Sequence, residues 1–278
     1  MAGAPRARPH RSLGQHFLAD ENILRRIVDA LEPTTDDLVL EIGPGQGTLT
    51  RELLRRGVQV IAIEKDPRLA NECGMRNAEC GIERLQIVEG DALKLNGHSL
   101  LDARFAIPHS AFRIPHFKVI GNIPYYITTP LIDKALTPPL PERVVFLVQE
   151  EVADRIVAPP GSKTYGALSI GVQVVARAEK LFTIKPGSFR PPPKVHSALV
   201  RLRPLLEPLV DQAEIPRLRQ FVAACFGLRR KQLRNVLRSV TGRSAALVAA
   251  GLVALGLDPQ ARPEALPPED FVRLLRWA

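Results

Sequence analysis

The most chemically specific stretch of the chain is Gly121-Asn122-Ile123-Pro124-Tyr125, which follows a short apolar run, Lys118–Gly121, with the composition of a strand. The Asn122 side-chain carbonyl and the Ile123 backbone carbonyl are two acceptors on a turn that Pro124 stiffens, and Tyr125 adds a flat aromatic face. That set suits the exocyclic amine of a nucleobase. The amine's lone pair is delocalised into the ring, so it attacks a methyl donor only when its N–H bonds are held by acceptors and the donor lies in line. No strong general base is required, because the proton becomes acidic as nitrogen bonds to carbon. An ordinary turn carrying a buried tyrosine would contain the same residues.

Upstream, Glu41-Ile-Gly-Pro-Gly-Gln-Gly47 joins a β-rich run, Leu38–Ile42, to a leucine-spaced helix over Thr48–Arg56. Gly43 and Gly45 let backbone N–H groups and a helix N-terminus face whatever binds at the carboxyl edge of the sheet. Glu64 lies 21 residues after Gly43, at the end of a second strand, Val58–Glu64, where its carboxylate can accept from both ribose hydroxyls. Asp91 ends a third strand, Leu85–Val88, and an acceptor-only carboxylate there suits an adenine amine. Two acidic strand ends point to an adenosyl ligand. A dinucleotide oxidoreductase would want GxGxxG, whereas this loop reads GPGQGTLT; a glycine turn that only packs a helix on a sheet is the plainer alternative.

These residues need a frame. Asp20 and the spacing of Ile23, Ile27, Val28 and Leu31 predict a helix over 20–31, and Pro67–Cys73 predicts another. Val144–Val148 is a fifth strand, Glu151–Val157 and Leu168–Val175 are helical, and Leu181–Ile184 with Ala198–Leu202 form a closing antiparallel pair. Seven strands alternating with helices predict an α/β fold, a largely parallel sheet covered on both faces. Residues 95–117 fit no element and read as an insertion loop at the sheet's edge. Proline clusters put a domain boundary near 204–213. The expected organisation is a basic tail over 1–11, a catalytic domain over 12–204 and a small helical domain over 205–278.

The formal charge is +9, and residues 185–278, with 16 Lys and Arg against 7 Asp and Glu, carry the whole excess. No acid stands between Glu214 and Asp258, where Arg230, Lys231, Arg234 and Arg238 form the densest basic run. Arg230, Arg234 and Arg238 share one row at i, i+4, i+8 if the run is helical, which an ordinary solvated face also shows. The missing acids favour a polyanion as partner. Three cysteines without ligand spacing support neither a disulfide framework nor a metal site, and suit a reducing, cytoplasmic setting. The longest uncharged apolar run, Ser244–Leu257, falls short of the ~18–20 residues of a membrane span.

Together with Gly14-Gln-His-Phe-Leu18, Ile63-Glu-Lys-Asp66, Gly90-Asp-Ala-Leu93, Gly121–Pro130 (GNIPYYITTP), Tyr165-Gly-Ala-Leu-Ser169 and Phe189–Ala198 (FRPPPKVHSA), these motifs make a chain that resembles the KsgA family of ribosomal RNA adenine dimethyltransferases from about residue 12 onward. Phe226–Asn235 (FGLRRKQLRN) is similar to that family's C-terminal RNA-binding segment. The resemblance implies a class I, Rossmann-like methyltransferase sheet with a small helical domain. It implies S-adenosyl-L-methionine as cofactor and N6,N6-dimethylation of two adjacent adenosines near the 3′ end of small-subunit ribosomal RNA, on an immature subunit, by a monomer. His16 and Leu18 would border the methionine part of the cofactor, with Gly43 and Gly45 as its loop, Glu64 at the ribose and Asp91 at the adenine amine. Asn122 would touch both cofactor and target. Tyr125 and Phe189 would sandwich the flipped adenine, and Arg230, Lys231 and Arg234 would hold phosphates. The chain differs from many members at His16 and Tyr126. Two other readings share the pattern: a large-subunit adenine methyltransferase of the resistance type, and an rRNA-binding assembly factor without catalysis. Pro130 after Ile127-Thr-Thr, Tyr165–Ser169 and the FRPPPKVHSA segment favour the small-subunit enzyme.

Overall fold

The structure is a computed structural model that describes residues 16–77, 82–95 and 117–278. The basic tail over 1–11 and all but the ends of the 95–117 stretch lie outside the described residues. Alternation of apolar runs and amphipathic segments is realised as strands β1 (Phe17–Leu18), β2 (Leu38–Ile42), β3 (Gln59–Glu64), β4 (Leu85–Glu89), β5 (Phe117–Asn122) and β6 (Arg143–Gln149), with helices α1 (Glu21–Leu31), α2 (Thr48–Arg55), α3 (Pro67–Asn77) and α4 (Thr128–Ala135) between them. Then come α5 (Glu150–Ile156), α6 (Ala167–Gln173), β7 (Ala176–Ile184), β8 (Phe189–Arg190) and β9 (Ser197–Pro204). Helices α7 (Ile215–Gly227), α8 (Leu233–Thr241), α9 (Ala245–Ala254) and α10 (Pro268–Trp277) complete the chain.

Seven strands form one sheet in the order β4-β3-β2-β5-β6-β9-β7, and β1 pairs separately with β8. The pairs β2/β3, β3/β4, β2/β5 and β5/β6 are parallel, and β9 runs antiparallel to β6. The strands buried between helices are continuous apolar runs, as a sheet covered on both faces requires. The chain moves outward from β2 through β3 to β4 and then returns to β5 on the other side of β2. That reversal leaves a crevice beyond the carboxyl ends of β2 and β5.

Local chemistry sets the elements. Asp20 caps α1, its Oδ1 accepting from the Asn22 and Ile23 N–H groups at 2.9 and 3.2 Å, two of the four donors a helix start leaves orphaned. Leu24, Ile27, Val28 and Leu31 of the same helix enter the core with Leu53 and Leu54 of α2 and Val39, Val60 and Ile120 of the sheet. Truncating any one of these leucines to alanine costs about 2–5 kcal/mol. At the opposite edge from the crevice, the buried Lys118 ammonium donates to Asp37 Oδ2 and to the Glu32 carbonyl, both at 2.7 Å. This pair pins the start of β5 to the α1–β2 connection.

The described residues divide into two compact units, and the second is larger than the proline clusters suggest. One unit takes residues up to 153 with 179–204; the other takes 154–178 with 205–278. The predicted boundary near 204–213 is therefore one of three crossings, the others falling at 153/154 and 178/179. The reason is Tyr165, which is fully buried among the helices of the second unit and donates its hydroxyl to the Leu266 carbonyl at 2.9 Å. Its ring meets Phe226 edge-on at 6.1 Å, and Phe226 stacks on Phe271 at 5.8 Å. Among the described residues no single helix is long and apolar enough to cross a membrane.

Candidate cofactor and target site

The crevice is shaped first by glycine. Gly121, in β5, pairs with Ile42 of β2, and a Cβ there would lie 2.6 Å from the Ile42 carbonyl oxygen. Only glycine lets the two strands approach so closely. Gly45 stands at φ +56°, where a side chain would be strained, and a Cβ would come within 2.8 Å of the Phe17 ring. With that space open, the Gly45 N–H donates to Glu64 Oε2 at 3.1 Å, and the Gly43 N–H donates to the Ile63 carbonyl at 2.9 Å. The loop is thus tied to the end of β3.

Glu64 is buried, and its Oε1 accepts from the Asp66 N–H at 2.9 Å and its Oε2 from the Gly45 N–H at 3.1 Å. Burial raises its pKa, while the backbone donors of Asp66, Gly45 and Lys65 pull it back. A carboxylate offers about four lone-pair sites, so three backbone donors leave room for a hydroxyl. Asp91, beyond β4, behaves differently. Lys65 Nζ donates to its Oδ2 at 3.0 Å, the Leu93 N–H donates to its Oδ1 at 3.0 Å, and the Lys65 bond holds its carboxyl below the usual range.

On the other wall, Asn122 Nδ2 donates to the His16 carbonyl at 2.7 Å. A carbonyl only accepts, so the amide nitrogen faces His16 and the acceptor Oδ1 is directed away from it. The His16 ring bonds the Pro191 carbonyl through Nδ1 at 2.8 Å and stacks on Tyr125, with centroids 6.1 Å apart and planes 26° apart. The Tyr125 hydroxyl and Ser197 Oγ share a 2.8 Å hydrogen bond that fixes the ring, and burial raises the phenol's pKa.

His16, Gly43, Gly45, Glu64, Asp91, Asn122, Ile123 and Tyr125 all line one cavity of about 100 Å³. Eight residues named from sequence, drawn from positions 16 to 125, meet there. Two others do not. Leu18 is buried in the core and absent from this cavity's lining. Phe189 is fully buried in the same core cluster, because the two-residue pairing of β8 with β1 sets it opposite Leu18. It is not among the residues that line the cavity.

Sequence reasoning left out Lys65, Ser197 and a buried network beneath the loop. There Thr50 Oγ1 donates to Glu41 Oε2 at 2.7 Å and lies 3.5 Å from Cys73 Sγ. Glu41 is 1% exposed, its Oε1 has no hydrogen-bond partner among the described residues, and burial pushes its pKa up to about 8. Its place at the head of the glycine motif was the available signal.

In the second unit, Arg230, Lys231, Arg234 and Arg238 are all exposed. The single helical row expected of them is broken. Helix α7 ends at Gly227, a turn follows, and α8 begins only at Leu233. The Leu233 and Arg234 N–H groups donate to the Ala261 and Pro259 carbonyls at 2.7 and 3.2 Å, so the loop over 259–261 terminates the helix that would have continued. Among the described residues no group of His, Cys, Asp and Glu is arranged to hold a metal ion.

The donor set fits an adenosyl sulfonium: a buried carboxylate for a ribose, an acidic strand end for the base, and a loop of three glycines held at positive φ. A family model for ribosomal RNA adenine dimethylase matches residues 6–278. The ribosomal RNA small subunit methyltransferase A of Nitratidesulfovibrio vulgaris is 42% identical over 272 residues, covering 97% of this chain and 96% of the relative. That of Hahella chejuensis is 39% identical over 265 residues, covering 95% and 90%. Among solved structures, a dimethyladenosine transferase from Plasmodium falciparum superposes with a TM-score of 0.77 at 28% identity, over 93% of this chain and 96% of that one. The 23S rRNA methyltransferase ErmE gives 0.70 at 30% identity, over 94% and 98%. Matching nearly end to end in both sequence and fold, the chain belongs to the ribosomal RNA adenine dimethylase family.

Proposed function

We propose that this protein uses S-adenosyl-L-methionine to dimethylate N6 of two adjacent adenosines near the 3′ end of small-subunit ribosomal RNA, on a precursor subunit and as a single copy. The observation that carries this reading is the orientation of Asn122, whose Nδ2 is committed to the His16 carbonyl and whose Oδ1 is left as an acceptor beside Tyr125 and Glu64. The names of the curated relatives support the small-subunit substrate.

When bound, the cofactor supplies a methyl group on cationic sulfur. Gly43 and Gly45 leave the space for it, Glu64 accepts from its ribose, and Asp91 accepts from its adenine amine while retaining Lys65. Asn122 Oδ1 and the Ile123 carbonyl hold the two N–H bonds of the target amine, which directs the nitrogen lone pair at the methyl group. The amine loses its proton as the new N–C bond forms. Tyr125, clamped by Ser197, stacks on one face of the flipped adenine. Phe189, fully buried here, is the candidate for the opposite face. Arg230, Lys231 and Arg234 contact phosphates, which position the RNA without reading its bases.

The test is transfer of labelled methyl groups from S-adenosylmethionine to unmodified small subunits, with large subunits in parallel, followed by nucleoside analysis. Dimethyladenosine confined to the small subunit is expected. Label on the large subunit would replace this substrate with the one that ErmE's description names, and binding without label would remove the catalysis.

A further inference from the structure

A second basic surface exists on the first unit, one that counting charges along the chain does not reveal. Residues 1–184 are electrically balanced, with 22 basic and 22 acidic side chains. Folding separates them. Glu32 alone gathers Arg143, Arg201 and Arg203, at 2.7, 2.9 and 3.4 Å, far along the chain from any of them. Other arginines converge elsewhere: Arg25 from α1, Arg51 and Arg55 from successive turns of α2, Arg76 from α3 and Arg190 from β8 line one groove of about 370 Å³.

Among the described residues, the lining contains only two carboxylates, Glu21 and Glu52. Glu52 is already bonded by Arg56, at 3.3 Å, as well as lying 3.6 Å from Arg55. Arg25 uses its guanidinium on the Asn22 side chain and the Glu21 carbonyl rather than on a carboxylate. Arg51 donates to the Arg76 carbonyl, and Arg76 pairs with Glu72 at 2.8 Å, so these two are anchored at the back. Arg25, Arg55 and Arg190 are the exposed members, whereas Arg51 and Arg76 are half-buried. Five guanidiniums, one of them paired with Glu72, against Glu21 and a Glu52 already bonded by arginine make a site for an extended polyanion, and the planar fork of arginine matches phosphate oxygens in pairs.

The position of the groove identifies which polyanion. Phe17 lines both the groove and the cofactor cavity, so the two share a wall, and Arg190 is paired with Phe17 in the β1/β8 register. A chain that places one nucleotide at Asn122 and Tyr125 has its neighbouring backbone within reach of that wall. We propose that Arg25, Arg51, Arg55, Arg76 and Arg190 form a phosphodiester-binding groove for the RNA strand flanking the target adenosine. This rests on the RNA-methylating reading above. The groove holds the strand next to the reacting base, and the basic run of the second unit is a separate anchor.

The experiment uses the full chain with Arg25, Arg55 and Arg190 all replaced by alanine, the same three replaced by lysine, and Arg55→Glu alone, a single change on the last turn of α2. Each is compared with the unaltered protein for salt dependence of binding to a small-subunit RNA fragment, for KM and kcat of methyl transfer, and for cofactor affinity by calorimetry. At ~0.7 for each phosphate of a single strand, the triple alanine variant loses about 2 from the slope of log K against log salt. Its KM for RNA rises at least tenfold, with kcat and cofactor affinity unchanged. The lysine variant regains the slope and part of the KM, and Arg55→Glu shifts KM in the same direction as the triple alanine variant. Unaltered slope and KM in folded variants, alongside a parent that methylates small subunits, would overturn the groove and leave the function standing. A parent that fails to methylate RNA would overturn both.

Discussion

Replacing Glu41 by glutamine isolates the buried carboxyl beneath the glycine loop. Glutamine keeps an oxygen for the Thr50 hydroxyl, which donates to Glu41 Oε2 at 2.7 Å, and removes the titration. Burial, the largest cause, and the neighbouring Glu64 charge raise the Glu41 pKa from 4.5 to about 8 in the folded chain. Unfolded, the group ionises near its ordinary value. Between about pH 4.5 and 8 the folded state therefore holds a proton that the unfolded state has lost, and stability falls as pH rises through that window. At ~1.4 kcal/mol per unit, the whole window is worth on the order of 5 kcal/mol, and the span from about pH 5 to 7 about 3 kcal/mol. Above about 8 the slope disappears. Glu64 titrates in both proteins, and its coupling to Glu41 is present only in the unaltered one. The new amide N–H groups, lacking acceptors where Glu41 Oε1 has no partner, add a cost of ~1–3 kcal/mol that does not vary with pH. Urea unfolding across this pH range gives the two stability curves. The glutamine variant should lose stability less steeply, so that the curves converge or cross as pH rises. Parallel curves would refute a protonated Glu41 and the account of its burial.

Three further outcomes concern the site directly. Asn122→Ala should lower turnover by ~10²-fold or more with a much smaller change in cofactor affinity, because the reacting amine is deprived of an oriented acceptor; steady-state rates with calorimetry separate the two. Glu64→Ala should weaken cofactor binding at least tenfold, about 1.4 kcal/mol, and leave RNA affinity within about twofold, as read by calorimetry and filter binding. Replacing Arg230, Lys231 and Arg234 by alanine should flatten the salt dependence of RNA binding by ~0.7–0.9 for each phosphate no longer neutralised, measured by titration at several salt concentrations.

The glycine loop, Glu64, Asp91 and the Asn122 turn were legible because each sits at a strand end, where an apolar run stops at a polar residue. Parallel pairing then brings such ends together whatever lies between them. Phe189 was less legible. Its motif marks a turn, but only the two-residue pairing with Leu18 decides on which side of the turn the ring is buried. The Arg230–Arg238 row failed because a helix boundary was imposed from outside, by the carbonyls of Pro259 and Ala261 much further along the chain. The arginine groove draws on four elements, and no window along the chain contains more than two of its members within a few residues of each other. Periodicity reports what one element does with its own faces. It is silent where side chains from several elements meet.

The repeated crossing between the two units bears on how this protein can be made and divided. A ribosome releases residues 154–178 well before the helices that cover them, so Tyr165, Ile170 and Val172, all buried in the finished protein, wait uncovered until the chain beyond 205 has emerged. A fragment ending at 204 would keep that apolar surface permanently bare, without Phe226 or Leu266 to meet Tyr165. Residues 205–278 alone would lack the segment that α7 packs against. Excising the first unit would mean removing 154–178 as well, with cuts that fall inside α5 and inside β7.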